Sequence, residues 1–590
     1  MFIRAIRHPG LRPLLFSLAL LPSAGIAGTL DANLGFDREF GERFLEEYWQ
    51  RNPDAAIAEG YYRVAERLAV PDAAYRAAYL RFLDRWRARL HAVDPRRLDP
   101  SHRADWAVLD NALACERWQW RSLREWQWNP ATYNVASAFA LLLNTPYAPL
   151  DQRLRTVSAR LAAVPAYYRA ARANIHDPTR EHTELAIEQN RGALSVFGPE
   201  LEKQLAGSGL SAQERAVFLD RLYDARNAIR GYVAWLEALQ RKRLRHGARS
   251  FRLGRGLYEE KFACDNPGSD GAQALYRRAQ AEKERVLARM DALARQLWPK
   301  YLNAETLPED REARIARVIE KISERHTTPQ HYVAAVEALI PQLEHWVTSH
   351  DLIDLDPSRP LQVRVTPPYE RGVAVAGIEA PGPYDPTART YFNVDPLDDL
   401  SPAQAESFLR EYNDWMLPIF IIHEAIPGHY VQLLYANKSP SKIKSVFGNG
   451  SMIEGWAVYS ERMMMESGYG GGAPELWLMY WKWYLRSVTN TLLDYGVHTQ
   501  GMSEDAALRL LTREAFQSRK EAVGKWRRVQ LSSVQLTRYF AGFSEIYRFR
   551  EARRHKLGDA FSLKRFNERF LSYGSAPVKT IEALMEEAPD

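Results

Sequence analysis

The stretch HEAIPGHY, His423 to Tyr430, decides how this chain is read. It looks like a zinc-peptidase helix motif with two extra positions. The familiar form places histidines at i and i+4, with a glutamate after the first. Here i+4 is Pro427, and the second histidine is His429. On a regular helix of 3.6 residues per turn, an i+6 side chain points roughly 120° away from the first. The two histidines therefore cannot share one ion from an unbroken helix. Pro427 disrupts helical hydrogen bonding, and Gly428 tolerates unusual dihedrals. The backbone is expected to leave the helix between Glu424 and His429. Ile419, Phe420, Ile421 and Ile422 lead into the motif, so its helix arrives buried.

A zinc hydrolase needs three protein ligands, an open position for water and a base beside that water. His423 and His429 are two candidate ligands. Glu424, adjacent to a ligand, is placed to reach a water and not the metal, which makes it the candidate base. Alone, this stretch reads equally well as a helix end with satisfied polar groups. The segment SMIEGWAVYSERMMM, Ser451 to Met465, changes the balance. It is an apolar helix carrying Glu454, and a buried glutamate is costly unless paired or bound to a cation. Glu454 is the candidate third ligand. Glu461 shares its face and is expected to orient a histidine, with a surface ion pair as the alternative.

Two further segments offer substrate groups. In LLDYGVHTQGMS, Asp494 and His498 lie four apart on one helix face. They are placed to contact substrate or transition state, or to form a structural pair at a helix end. In VQLTRYFAGFSEIYRFRE, Tyr539 is a candidate phenol donor to an oxyanion, with a core tyrosine as the alternative. Arg528 or Arg538 is available to bind a substrate carboxylate.

Outward from these motifs the chain is mainly α-helical. Residues 32 to about 340 read as successive amphipathic helices, such as FGERFLEEYWQRNP with Phe40, Phe44, Leu45 and Tyr48 at helical steps. Near Leu361 the pattern alternates, with β-branched residues and Gly/Pro punctuation. Short strands around QVRV, VAVAGI and RTYFNV predict a small β-sheet. Helices resume at Ser401, an N-cap followed by Pro402. The expected regions are a signal peptide at 1–27, an N-terminal helical region at 28–340, a small β-containing region at 341–400 and a helical catalytic region at 401–590. The glycine-rich GYGGGAPE follows no strand, so it is a loop and not a nucleotide fingerprint.

The 590 residues are 46% hydrophobic and 26% charged, a globular composition with length for several cores. Arg4, Arg7 and Arg12, a short apolar run and small residues near Ala27 form a secretory signal pattern. The apolar run is short for a membrane span, and an uncleaved anchor is the alternative. No cysteine lies near the cut, so no lipid anchor is expected. The expected location is periplasmic or secreted. Losing the three signal arginines leaves a formal charge of +3 out of +6, which gives no reason to propose nucleic acid. No stable membrane insertion of the mature chain is expected, and no protein partner is evident. Cys115 and Cys264 are free to pair after export, but nothing in the sequence brings them together.

Taken together, FGERFLEEYWQRNP, REWQWNPATYN, PPYERG, TYFNVDPLDD, HEAIPGHYVQ, EGWAVYSE, DYGVH and QLTRYFAG resemble the bacterial family catalogued as domain of unknown function 885. That family is a relative of the gluzincin metallopeptidases. The resemblance implies a helical fold around a deep cleft, as in the thimet-oligopeptidase group, with the small sheet of residues 361–393 near the active site. It implies His423, His429 and Glu454 as zinc ligands, Glu424 as base, and family positions for Tyr539 and His498. Two departures stand out. Tyr430 occupies the place of a second family histidine, and Ser533-Val534-Gln535 stands where the family has PGQ.

The expectation is a zinc-dependent hydrolase acting on short peptides. Glu424 would serve as general base and then return the proton to the leaving amine. Tyr539, with His498, would support the oxyanion. A metal-dependent amidase on cell-wall peptides uses the same residues. A non-catalytic helical binding protein with a vestigial site is the third reading, and the intact Glu424 argues against it.

Overall fold

The computed structural model describes residues 23–242, 247–366, 376–380, 382–385, 389–439 and 441–587. The expected signal segment lies almost wholly outside these residues, as do PPYERG and the first half of VAVAGI. The described chain is mainly helical with one small sheet.

The helices form where the apolar spacing predicts them. Phe40, Phe44, Leu45 and Tyr48 are all buried along a helical run that continues to Arg51. Helix α1 (Ala212–Lys242) buries Phe218, Leu222, Ala225, Ile229, Tyr232 and Leu236, a stripe at steps of three and four. Helix α2 (Ala272–Tyr301) buries a similar stripe against a long C-terminal helix introduced below.

The sheet has strands β1 (Gln362–Val365), β2 (Ala376–Glu379) and β3 (Tyr391–Val394). Their order is β1-β3-β2, with β1 parallel and β2 antiparallel to the central β3. Phe392 and Val394 of β3 are fully buried, which fixes the register: a one-residue slip would turn them outward. The helix Pro402–Glu411 starts as expected, with a full capping box between Ser401 and Gln404.

The helices of the C-terminal part that matter for the site include α3 (Met416–Glu424), α4 (His429–Lys438), α5 (Gly450–Glu466), α6 (Pro474–Gln500) and α7 (Arg519–Leu531). Helix α8 (Arg538–Leu557) follows, and packs closely along α5. Helix α6 is the long partner of α2, and β2 lies against α3.

The largest core draws residues from all three regions expected after the signal segment, from Phe36 through Phe392 to Met585. A second core, Ile57 to Leu236, sits wholly within the first helical region. A third joins Leu493 and Val497 of α6, Trp526 and Val529 of α7, and Leu536. Cys115 and Cys264 form a disulfide with Cα atoms 5.7 Å apart. Among the described residues, no helix is long and apolar enough to cross a membrane.

Candidate metal centre

The backbone breaks where the histidine spacing requires it. Helix α3 ends at Glu424, and Ala425 adopts φ −117°, ψ −86°. The Ile426–Pro427 peptide is cis, and α4 begins at His429 after Gly428. A Cβ on Gly428 would overlap the carbonyls of His423 and Ile422, so this close return of the chain needs glycine. Helix α5 holds the turn from below: Trp456 Nε1 and Ser460 Oγ donate to Pro427 O at 2.9 and 3.2 Å. The break brings the His423 and His429 rings to 4.9 Å, nearly perpendicular at 88°.

Glu454 completes the cluster. Its Oε2 lies 3.5 Å from His429 Nε2 and 3.8 Å from His423 Nε2. One ligand atom from each of the three residues lies within 4.8 Å of the others. Around a tetrahedral zinc with bonds of ~2.1 Å, ligand atoms stand about 3.4 Å apart. The donor set therefore fits such an ion in type and spacing. The side chains of His423, His429 and Glu454 are 7%, 16% and 21% exposed, so the cluster is rooted in the core and opens toward solvent.

Glu461 fixes the first histidine. Its Oε1 accepts from His423 Nδ1 at 2.6 Å and from Trp483 Nε1 at 2.9 Å, and the carboxylate is fully buried. The surface ion pair is thereby replaced by a buried orienting contact. With Nδ1 carrying the proton, His423 keeps Nε2 free to ligate. Burial, reinforced by the nearby His429, holds His423 down at about 4, so the ring is neutral as a ligand must be. Burial also pushes the Glu424 carboxyl up from its ordinary range, the direction that favours proton uptake.

Tyr539 opens α8 and stands beside His423, with ring centroids 6.3 Å apart and planes 25° from parallel. Burial raises its phenol to about 12, so it stays protonated and able to donate. Its placement depends on two glycines. A Cβ on Gly455 of α5 would strike the Gly542 backbone, and one on Gly542 would strike Ser451 O. The two helices touch backbone to backbone, which carries Tyr539 to the ligands.

The remaining expected residues have other work. Asp494 does not touch the cluster. It accepts from Val534 N and Leu536 N at 2.9 and 3.0 Å and from Tyr258 at 2.9 Å, pinning the loop that feeds α8. His498 does not serve the oxyanion role expected of it. Its Nε2 donates to the carbonyls of Val529 and Ser532 at 2.9 and 2.8 Å, and Nδ1 accepts from Leu253 N at 3.4 Å. Both nitrogens are spent on backbone, so each residue has a structural role, but through other partners and not as the Asp494–His498 pair that the spacing offered. Arg538 is likewise engaged, with Asp265 at 2.8 Å, and is not free for a substrate carboxylate. Arg528 remains exposed and donates to Tyr539 OH at 3.2 Å. Tyr430, where the family has a histidine, turns its hydroxyl away to the Arg359 carbonyl.

Residues 53–585 match the family described as "Bacterial protein of unknown function (DUF885)". The chain belongs to this family. It is similar to a solved structure from Shewanella oneidensis described as a "putative lipoprotein of unknown function", with 48% identity and a TM-score of 0.86 over 93% of this chain and 99% of that one. A Colwellia psychrerythraea structure, described as a "putative lipoprotein", shares the fold at TM-score 0.74 and 14% identity, over 94% of this chain and 99% of that one. No curated protein matches the chain.

In this member of the family, sequence reasoning missed Trp483 and the paired role of Gly455 and Gly542. Trp483 lies in an aromatic run, LWLMYWKWYL, where nothing separates it from core tryptophans. The glycines carried a signal, since a glycine inside an apolar helix often marks a close backbone approach. Asp265 gave none, because it is 273 residues from its partner Arg538.

Proposed function

We propose that this protein is a zinc-dependent metallopeptidase of the gluzincin kind, acting on short peptides outside the cytoplasm. One observation carries the reading: His423, His429 and Glu454 offer converging ligand atoms, while Glu461 holds Nδ1 of His423 and leaves Nε2 for the ion. A solvated cluster of acids would lack that orienting contact. A zinc ion held there would supply Lewis acidity toward a scissile carbonyl and lower the pKa of a water toward ~7.

The chain's own residues account for the rest. Glu424 sits next to a ligand with a carboxyl already biased toward proton uptake. It takes a proton from the attacking water and returns it to the leaving amine. Tyr539, protonated beside His423, donates to the carbonyl oxygen as charge develops there. Strand β2 lies at one edge of the sheet among the described residues and packs against α3, so an extended peptide can add beside it. Export is supported by the Cys115–Cys264 disulfide and by the lipoprotein descriptions of the two similar structures.

The test pairs two substitutions. Glu424→Gln is expected to retain one zinc per chain and abolish turnover. His429→Ala is expected to lose the zinc. Unchanged peptide hydrolysis in Glu424→Gln would overturn the mechanism, and equal zinc in His429→Ala would remove that residue from the ligand set.

A further inference from the structure

The cations around the centre are not equivalent. Arg538 is neutralised by Asp265, and Arg486, whose charge reaches His423, is paired with Glu411 and Glu521. Arg528, on the last turn of α7, is exposed and forms no ion pair among the described residues. Its Nε donates to Gln535 Oε1 at 3.0 Å and its Nη2 to Tyr539 OH at 3.2 Å, both neutral acceptors. A guanidinium has five N–H groups in a planar fork, so three remain unused here. The acid whose charge it reaches, Glu454, belongs to the ligand set. Lys261 also lacks an ion pair among the described residues, and donates to Ser533 Oγ at 2.9 Å on the same loop. Two uncompensated cations therefore flank residues 532–535, beside the phenol that faces the reacting carbonyl.

We infer that Arg528 docks the free C-terminal carboxylate of a peptide, so that the enzyme trims short peptides from their C-terminal end. The inference rests on the peptidase reading and adds a direction to it. A planar guanidinium held by two neutral contacts matches a carboxylate in shape and charge, and bidentate pairing gives it orientation. Gln535 and Tyr539 hold the fork in place without competing for its charge. The spacing limits what is removed. Arg528 touches Tyr539, which itself stands beside His423. One or two extended residues, at about 3.5 Å each, span the gap between a carbonyl at the ligands and a carboxylate at Arg528. The products are then free amino acids or dipeptides.

The test uses the zinc-loaded full chain and a pool of N-acetylated tetrapeptides, each made as free acid and as C-terminal amide, with products read by mass spectrometry. The wild type is expected to cleave acids about 10- to 100-fold faster than amides, as loss of a charge-assisted contact requires, releasing one or two C-terminal residues. Arg528→Met is expected to lower cleavage of acids far more than that of amides, so that the acid-to-amide ratio falls to about one, with the zinc content unchanged. Arg528→Lys should restore part of the preference. Equal wild-type rates on acids and amides, or mainly internal cleavage, would overturn the inference and leave the peptidase reading standing. An equal loss on both forms in Arg528→Met would assign Arg528 to holding Tyr539 alone, and overturn it too. Cleavage of neither pool by the wild type would sink the peptidase reading and this inference together.

Discussion

His423 Nδ1 lies 2.6 Å from Glu461 Oε1, between two packed helices that bury both groups. The contact decides which imidazole nitrogen faces the ligand cluster. Trp483 donates to the same oxygen, so the carboxylate is itself held. Glu461→Gln should weaken zinc binding about 10- to 100-fold, because an amide orients the ring less strongly and adds no basicity. Competition with a chelator measures this directly. An unchanged dissociation constant would make the contact merely structural.

Tyr539 stands beside His423 but is not one of the three clustered residues, and the proposed mechanism makes it the oxyanion donor. Tyr539→Phe should lower kcat by about 10²- to 10³-fold, the usual cost of removing one oxyanion donor. Zinc content and melting temperature should not change. A drop in zinc content would show that the phenol supports the ligands instead.

Gly542 separates two roles for α8. A Cβ there meets the Ser451 carbonyl of α5, and backbone cannot move aside as a side-chain tip can. Gly542→Ala should cost about 1–3 kcal/mol of stability or more, by overpacking, and should slow turnover by displacing Tyr539. Calorimetry and steady-state kinetics on the same preparation read both effects. Wild-type stability would mean that α8 slides freely along α5.

The Cys115–Cys264 bridge closes a loop with a sequence separation of 149. Chain-entropy arguments set a ceiling of about 5 kcal/mol for a loop this long, and measured bridges usually give 2–4. Reduction, or Cys115→Ser, should lower the denaturant midpoint by a corresponding amount. The zinc content of the folded protein should be unaffected, since neither cysteine belongs to the ligand cluster.

Two buried histidines away from the ligands set an acid limit on stability. Burial holds His182 and His498 below the ordinary value of 6.5. Between their folded values and 6.5, the unfolded chain binds more protons than the native one, so stability rises with pH through that window. Stability should therefore fall as pH drops below about 6.5. Melting curves of the metal-free protein from pH 7.5 to 5 would show it, and His498→Gln should flatten the slope. A slope unchanged in that variant would assign the acid loss to other groups.

Much of this architecture was legible along the chain. The three- and four-residue spacing of Phe40, Phe44, Leu45 and Tyr48 marks helix wherever it occurs, because burial of one face needs no distant information. The three strands near residues 362, 376 and 391 announced themselves through alternation and Gly/Pro punctuation. Even the break at Ala425–Gly428 followed from local geometry. Two histidines six apart meet only if the helix stops, and proline and glycine were there to stop it.

Sequence alone determined the helices, the small sheet, the candidate ligands and the need for a kink, since each rests on contacts between near neighbours in the chain. The tertiary structure decided the rest. It buried Glu461 against His423, spent both nitrogens of His498 on backbone, tied Arg538 to Asp265 and left Arg528 without an ion pair among the described residues. A charged side chain reads the same in sequence whether its partner is absent or hundreds of residues away. Only folding determines which charges are cancelled, and it is the uncancelled ones that remain for a substrate.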